Sequence, residues 1–361
     1  MINLPLQRHA LFALLAAALF GASPPLAKLL VGELSPMVLA GLLYLGSGLG
    51  LCVVWLAREL RGGARTAQGG EAALQRGDYP WLAGAIVSGG VLAPVLLMWG
   101  LSGADAASAS LLLSAEGVMT TLLAVVFFRE AVGGRVWLAC LVMLAGGVLL
   151  SHGADGAWGF SLHAVAVLAA CVLWGLDNNL MRHISSGDAV VIAMIKGLIA
   201  GGINLALGLA GFIASGSTLP SWGPVVAALG LGAASYGVSL VLYVLALRHL
   251  GSARTAAHFG TAPFIGAGLS VLLLGEPLTV MLLVAVALMA VASWLVLTEQ
   301  HAHEHGHQVP QHVHEHVHDE HHRHIHGEEA GDGPHIHAHS HAPLQHSHAH
   351  LPDIHHRHGH Q

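Results

Sequence analysis

Between residues 10 and 297 the chain alternates long apolar runs with short polar breaks. Ten runs stand out, at about 10–31, 35–57, 80–101, 105–127, 133–151, 160–180, 188–213, 221–247, 252–274 and 277–297. A bilayer core of about 30 Å takes roughly 20 apolar residues of helix, so each run predicts one membrane-spanning helix. Only the stretch Gly275-Glu276-Pro277 marks the boundary of the last two runs. Pro277 is predicted in the first turn of the tenth helix, where a missing N–H costs nothing. After Thr298 the pattern changes. Apolar periodicity is lost, Pro310, Pro334, Pro343 and Pro352 interrupt the chain, and histidine recurs at almost every second position. Residues 299–361 therefore predict a disordered tail.

Composition agrees with a membrane protein. Charged residues make up 9% of the chain and hydrophobic ones 54%, against about 25% charged in a soluble domain. Residues 1–298 hold 12 Lys/Arg and 11 Asp/Glu, whereas the tail holds 2 Arg, 9 acids and 23 of the 29 histidines. The basic residues set the orientation. Arg8, Arg58, Arg76, Arg129, Arg135, Arg182 and Arg248 fall at breaks that share one side if the N-terminus is inside. Ten spans then return the C-terminus to the cytoplasm, which predicts a multi-pass inner-membrane (plasma-membrane) protein with both termini cytoplasmic. Cys52, Cys140 and Cys171 lie singly in apolar runs and read as small buried hydrophobes. The first run shows no small-residue cleavage site, so it reads as a span and not as a signal peptide.

The chain reads as two halves, 8–151 and 160–298. FGASPPLAK (20–28) parallels WGLDNNLMR (174–182), and FFREAVGGRVWLACLVMLAGGVLL (127–150) parallels LLGEPLTVMLLVAVALMAVASWLV (273–296). A shift of 146 places Glu130 on Glu276, Ala139 on Ala285 and Met143 on Met289. Five spans per half is an odd number, so the second half enters the bilayer upside down. Inverted repeats point to alternating access around a site near the midplane.

On these residues the chain resembles the EamA type of the drug/metabolite transporter superfamily, over about 8–298. The resemblance is carried by Phe20-Gly21 and Trp174-Gly175 in the first helix of each half. LLLSAEGVMTTLLAVVFFREAV and GTAPFIGAGLSVLLLGEPLT are similar to the family's fourth helix and its Gly-Glu ending. The family's Glu-Pro dipeptide is divided here, as Glu116-Gly117 in one half and Ala262-Pro263 in the other. The His-rich tail is also similar to that of bacterial members. The resemblance implies an all-α fold of ten transmembrane helices in two inverted five-helix repeats, and ion-driven transport of small metabolites. No GxxxxGK[ST] sequence occurs, so the chain carries no such ATP-binding signature.

Charges inside the spans need a reason, because each costs about 2.5–3.5 kcal/mol on insertion scales. Glu116, Asp177 and Lys196 are the candidates, with Asn178 beside Asp177. The sixth and seventh runs form a hairpin that predicts an Asp177–Lys196 pair. It either binds substrate or relays protons with Glu116, or it only fixes helix register. Tyr236 and His258 are candidates to face the same path, with Tyr236 and Tyr243 seven residues apart on one helix face. Lys28 is expected to snorkel to the outer interface. Glu130 and Glu276 are expected to favour the N-terminus of the helix that follows each. GLLYLGSGLGL (41–51) and GLIAGGINLALG (197–208) predict close helix contact.

In the tail, His301, His303, His305, His307, His312, His314, His316, His318, His321, His322, His324 and His326 form a tract of imidazole ligands suited to Zn, Ni or Co ions. The spans show no His pair at i, i+4 that would carry such an ion across. Imidazole also titrates near pH 6.5, so a pH-responsive polyelectrolyte is a second reading of the tail. The sequence thus predicts a secondary transporter of a small metabolite, in the export direction, with a metal-binding tail and no required cofactor. Divalent-metal efflux is the alternative within transport, and a membrane-anchored metal sensor or buffer the alternative outside it. Expected partners are the bilayer, a small-molecule substrate, transition-metal ions and a second copy in a homodimer. An enzyme motif is lacking. The acidic tail and short basic loops argue against nucleic acid.

Overall fold

A computed structural model describes residues 4–60, 74–128, 134–150, 161–184, 187–216, 220–250 and 252–298, with four short segments beyond them. The chain divides into two units, Met1–Glu299 and Gln300–Gln361.

The first unit is helical throughout its described spans. The first half contains α1 (Leu4–Gly21), α2 (Ser23–Leu30), α3 (Pro36–Leu60), α4 (Tyr79–Ala85), α5 (Ala93–Gly103), α6 (Ala106–Leu112), α7 (Ala115–Phe128) and α8 (Gly134–Leu150). The second contains α9 (Leu162–Met181), α10 (Ala189–Ser215), α11 (Trp222–Gly232), α12 (Ser239–Leu250), α13 (Ser252–Phe259), α14 (Ala262–Leu274) and α15 (Val280–Leu297). Among the described residues, eight segments are long and apolar enough to cross a bilayer. Two shorter apolar stretches, Trp137–Leu150 and Val280–Val296, complete ten. Surface composition supports the same reading, since Val53, Leu141 and Leu272 expose 68%, 64% and 80% of themselves. Such an outer face suits hydrocarbon, which offers backbone groups no partner outside the helix.

Several spans are interrupted, and the breaks have local causes. Span 1 breaks at Ala22, where Pro24 and Pro25 open α2 without needing donors. Span 3 joins α4 to α5 through a π-helical segment, Ile86–Leu92, and span 8 joins α11 to α12 through another, Ala233–Val238. Spans 4 and 9 break between α6 and α7 and between α13 and α14. Span 10 starts later than the sequence predicts. Pro277 lies before the helix, and Thr279 caps α15 through its hydroxyl, which accepts from Leu282 N at 3.1 Å.

The same architecture recurs in both halves. α6 and α13 begin at Ala106 and Ser252, α8 and α15 at Gly134 and Val280, each 146 residues apart. The two π segments match under the same shift. Ala139, Met143, Ala285 and Met289 are all buried where α8 packs on α15. Among the described residues the most extensive helix contact is α3 on α10, made by the two small-residue stretches. A Cβ on Gly197 would lie 2.8 Å from Gly48 N, so the backbones touch with no room for a side chain.

In the second unit the described segments are four strands. β1 (Ala302–Gly306) pairs antiparallel with β4 (Gln345–Ala349), and β2 (Gln311–His316) with β3 (His335–Ser340). The alternation that makes the tract a ligand series is also the period of a strand. Its register sets His303 opposite His348 and His314 opposite His337.

Candidate functional site

The site begins with a proline. Pro94 has no N–H, so the carbonyl one turn earlier, Gly90 O, loses its α-helical donor. The wide turn compounds this, because Ala93 N reaches back to Ser88 O. Gly89 O and Gly90 O are thereby offered to side chains. Gly89 O accepts from the Tyr44 hydroxyl at 2.7 Å and from Trp174 Nε1 at 2.9 Å. Asn204 Nδ2 donates to Gly90 O at 3.3 Å and Val91 O at 3.2 Å. Four spans thus meet at one stretch of bare backbone.

Asp177 lies on α9 one turn after Trp174, against Gly89. A Cβ on Gly89 would overlap the Asp177 carboxylate, so only glycine admits it there. Asp188 caps α10 by accepting from Val190 N at 2.8 Å. Lys196, two turns into α10, donates to Asp177 Oδ2. The pair is deeply placed, with side-chain exposures of 15% for Lys196 and 7% for Asp177. Asp177 Oδ1 is buried and has no hydrogen-bond partner, which costs about 1–3 kcal/mol for a buried acceptor and more when it is charged.

Glu116 sits in the first turn of α7, just after the break in span 4. It does not join the ion pair directly. Its Oε1 accepts from Asn178 Nδ2 at 3.0 Å, and the same amide reaches Thr120 Oγ1 at 3.2 Å. Asn179, buried beside it, donates to Thr120 O at 2.9 Å and Gly175 O at 2.8 Å, which ties α9 to α7. Glu116 remains in electrostatic reach of Asp177 and Lys196, and of Tyr44 and Tyr243. Across the bundle, Tyr236 lies in the second π segment. Its hydroxyl pairs with Ser23 Oγ at 2.8 Å, and its ring lies 5.7 Å from Phe20 and 5.8 Å from Tyr44. Phe259 extends this wall, 5.3 Å from Phe20 and 5.0 Å from Tyr243.

Other predicted residues lie elsewhere. His258 is partly buried near the end of α13, with Nδ1 2.6 Å from Arg254 O. Lys28 does not simply snorkel. Its amine donates to Leu101 O and to Ala104 O at 2.7 Å, because those carbonyls end α5 and lack helical donors. Glu276 does not serve the helix after it. Its two oxygens accept from Ala106 N at 2.7 Å and Ala107 N at 2.8 Å, at the start of α6 in the other half. Glu130 lies outside the described residues. Cys171 is fully buried, its thiol donating to Leu112 O at 3.5 Å. Trp174, Tyr44 and Gly89 meet beside the candidate residues and were not picked out from the sequence. Pro94, five residues beyond Gly89, was the available signal.

Among the described residues no three His, Cys, Asp or Glu side chains gather as a metal site. Of the tail histidines, His303, His305, His312, His314 and His316 lie on strands. His301, His307, His318, His321, His322, His324 and His326 lie outside the described residues.

The chain has counterparts among known proteins. EamA-like transporters match this chain twice, over residues 7–152 and 161–298. The chain belongs to the EamA-like transporter family. It is similar to an uncharacterized transporter of Methanothermobacter thermautotrophicus, 28% identical over 276 residues, which are 74% of this chain and 79% of that protein. A solved crystal structure shares the fold with a TM-score of 0.55 and 21% identity, over 80% of this chain and 95% of its own. This EamA-like chain is therefore a multi-pass membrane transporter acting on a small molecule across a bilayer.

Proposed function

We propose that the protein is a secondary active exporter of a small metabolite in the inner membrane, with both termini cytoplasmic. The carrying observation is the buried Asp177–Lys196 pair with its unused Oδ1, one residue from the Asn178–Glu116 contact. Charges this deep in a bilayer are expensive, and function is the usual reason for keeping them. The chemistry asks for a substrate with a cationic or hydrogen-bond-donating group for Glu116 or Asp177. An apolar or planar part would lie against Phe20, Tyr44 and Tyr236. The tail binds transition-metal ions through its imidazoles, and a second copy of the chain completes a homodimer.

The reading is tested in proteoliposomes with panels of labelled amino acids and other small metabolites, with and without a pH gradient. Wild-type flux that Glu116→Gln and Lys196→Ala both lose supports the site, and flux that survives both refutes it. Divalent-metal efflux is favoured by one feature, the imidazole tract. Zn, Ni and Co flux in the full chain and in a chain ending at Glu299 decides that reading: metal as cargo moves in at least the full chain.

A further inference from the structure

The turn between α5 and α6 is held at both of its helix ends by residues from other spans. Lys28, on α2, donates to the carbonyls that close α5. Glu276, between α14 and α15, accepts from the first two amides of α6. A cation at helix-end carbonyls and a carboxylate at helix-start amides are each favoured by the helix dipole. The local cap is unused, since Asp105 precedes α6 but makes no side-chain cap bond. Glu276 therefore replaces a cap that the α5–α6 turn could have supplied itself. The result ties the first half to the second.

This end of the bundle is packed shut. α6 packs on α14 and α2, and α2 packs in turn on α5, α11 and α14. The opposite end differs. α13, the repeat counterpart of α6, packs on α1, α12 and α15, while α7, the counterpart of α14, packs on α8, α9 and α15. Among the described residues there is no α13–α7 packing comparable to that of α6 on α14. Among the described residues, the first end is closed by packing that its repeat counterpart at the other end lacks.

We propose that Lys28 and Glu276 are a latch, which holds the α5–α6 turn against α2 and α14 and must release for this end to open. The inference rests on the transporter identity and not on the choice of substrate-binding residues. In the repeat alignment the position matching Lys28 is Arg182, again a cation, and the carbonyls matching Leu101 and Ala104 belong to Leu247 and Leu250. The same chemistry is thus available to the other end. Ser110 is a reporter for opening. It is fully buried on α6, one turn below the latch, and a Cβ on Gly266 of α14 would lie 2.9 Å from its Oγ.

The test is maleimide labelling of Ser110→Cys in the full-length purified protein, with Cys52, Cys140 and Cys171 replaced by alanine. Glu276→Gln and Lys28→Met are compared with the intact latch, and Glu33→Gln serves as a same-end control. Each latch variant should raise the labelling rate at least about tenfold, the ratio set by 1.4 kcal/mol. Glu33→Gln should leave it unchanged. Two variants guard against one failing to fold, and size-exclusion profiles identify such a case. A rate within about twofold of the intact latch in a folded variant overturns the proposal, since tenfold is the expected ratio. Labelling needs no substrate, so the outcome is independent of whether Glu116 and Asp177 line the path.

Discussion

Asp177 in the second half and Ser23 in the first occupy matching turns of matching helices, three residues after Trp174 and Phe20. Asp177 holds Lys196 and lies on Gly89 in the first π segment. Ser23 holds the Tyr236 hydroxyl in the second. The halves share the breaks, the wide turns and the helix-to-helix pairings, but they divide the chemistry. Glu116 corresponds to Ala262 and Trp174 to Phe20. A duplicated scaffold supplies two ways of opening, and opening needs symmetry. Binding does not, so one side has become polar and the other aromatic.

The largest effect is expected when one charge is removed. Asp177→Ala leaves Lys196 unpaired and should cost about 3–5 kcal/mol, read as a fall in thermal midpoint in detergent. Ser23→Ala should cost about 1 kcal/mol, one neutral hydrogen bond. Adding Lys196→Met to Asp177→Ala should recover most of the stability. Transport should stay lost, and a double variant that transports normally would make the pair a register device only. The next largest effect is expected at Gly89→Ala. The added methyl collides with the Asp177 carboxylate, and overpacking of this kind costs about 1–3 kcal/mol. Ser235→Ala, 146 residues on, should change the midpoint far less. A smaller effect than that of Gly89→Ala is expected for Trp174→Phe, which makes the position resemble Phe20. Gly89 O keeps Tyr44 as donor, so about 1 kcal/mol is lost, with a rise in KM larger than any fall in kcat.

Much of this was readable in the amino-acid order. Run lengths yield the ten spans, and their odd number per half yields the inversion. The hairpin of the sixth and seventh runs brings Asp177 to Lys196, because two antiparallel helices joined by a short turn bring matched depths together. The glycine-rich stretches meet as read. Lys28 and Glu276 escape for the opposite reason. Their partners are backbone groups 73 and 170 residues away, and backbone groups leave no residue type to match. The π segments escape because helical periodicity assumes a constant turn. Pro94 explains the free carbonyls of the first, but the second has Leu240 at the matching place, so proline is not what makes the wide turn.

The wide turns also carry a date. A π segment is an α-helix holding one residue too many, and Ile86–Leu92 and Ala233–Val238 hold theirs at matching points of the two halves. Two separate insertions at equivalent sites are needed if each arose after duplication, whereas one suffices if it came before. The simpler history places the extra residue in an ancestral gene that encoded a single five-helix half. The descendants then filled the same bend differently, one with Gly89 and Gly90, the other with Ser235 and Tyr236.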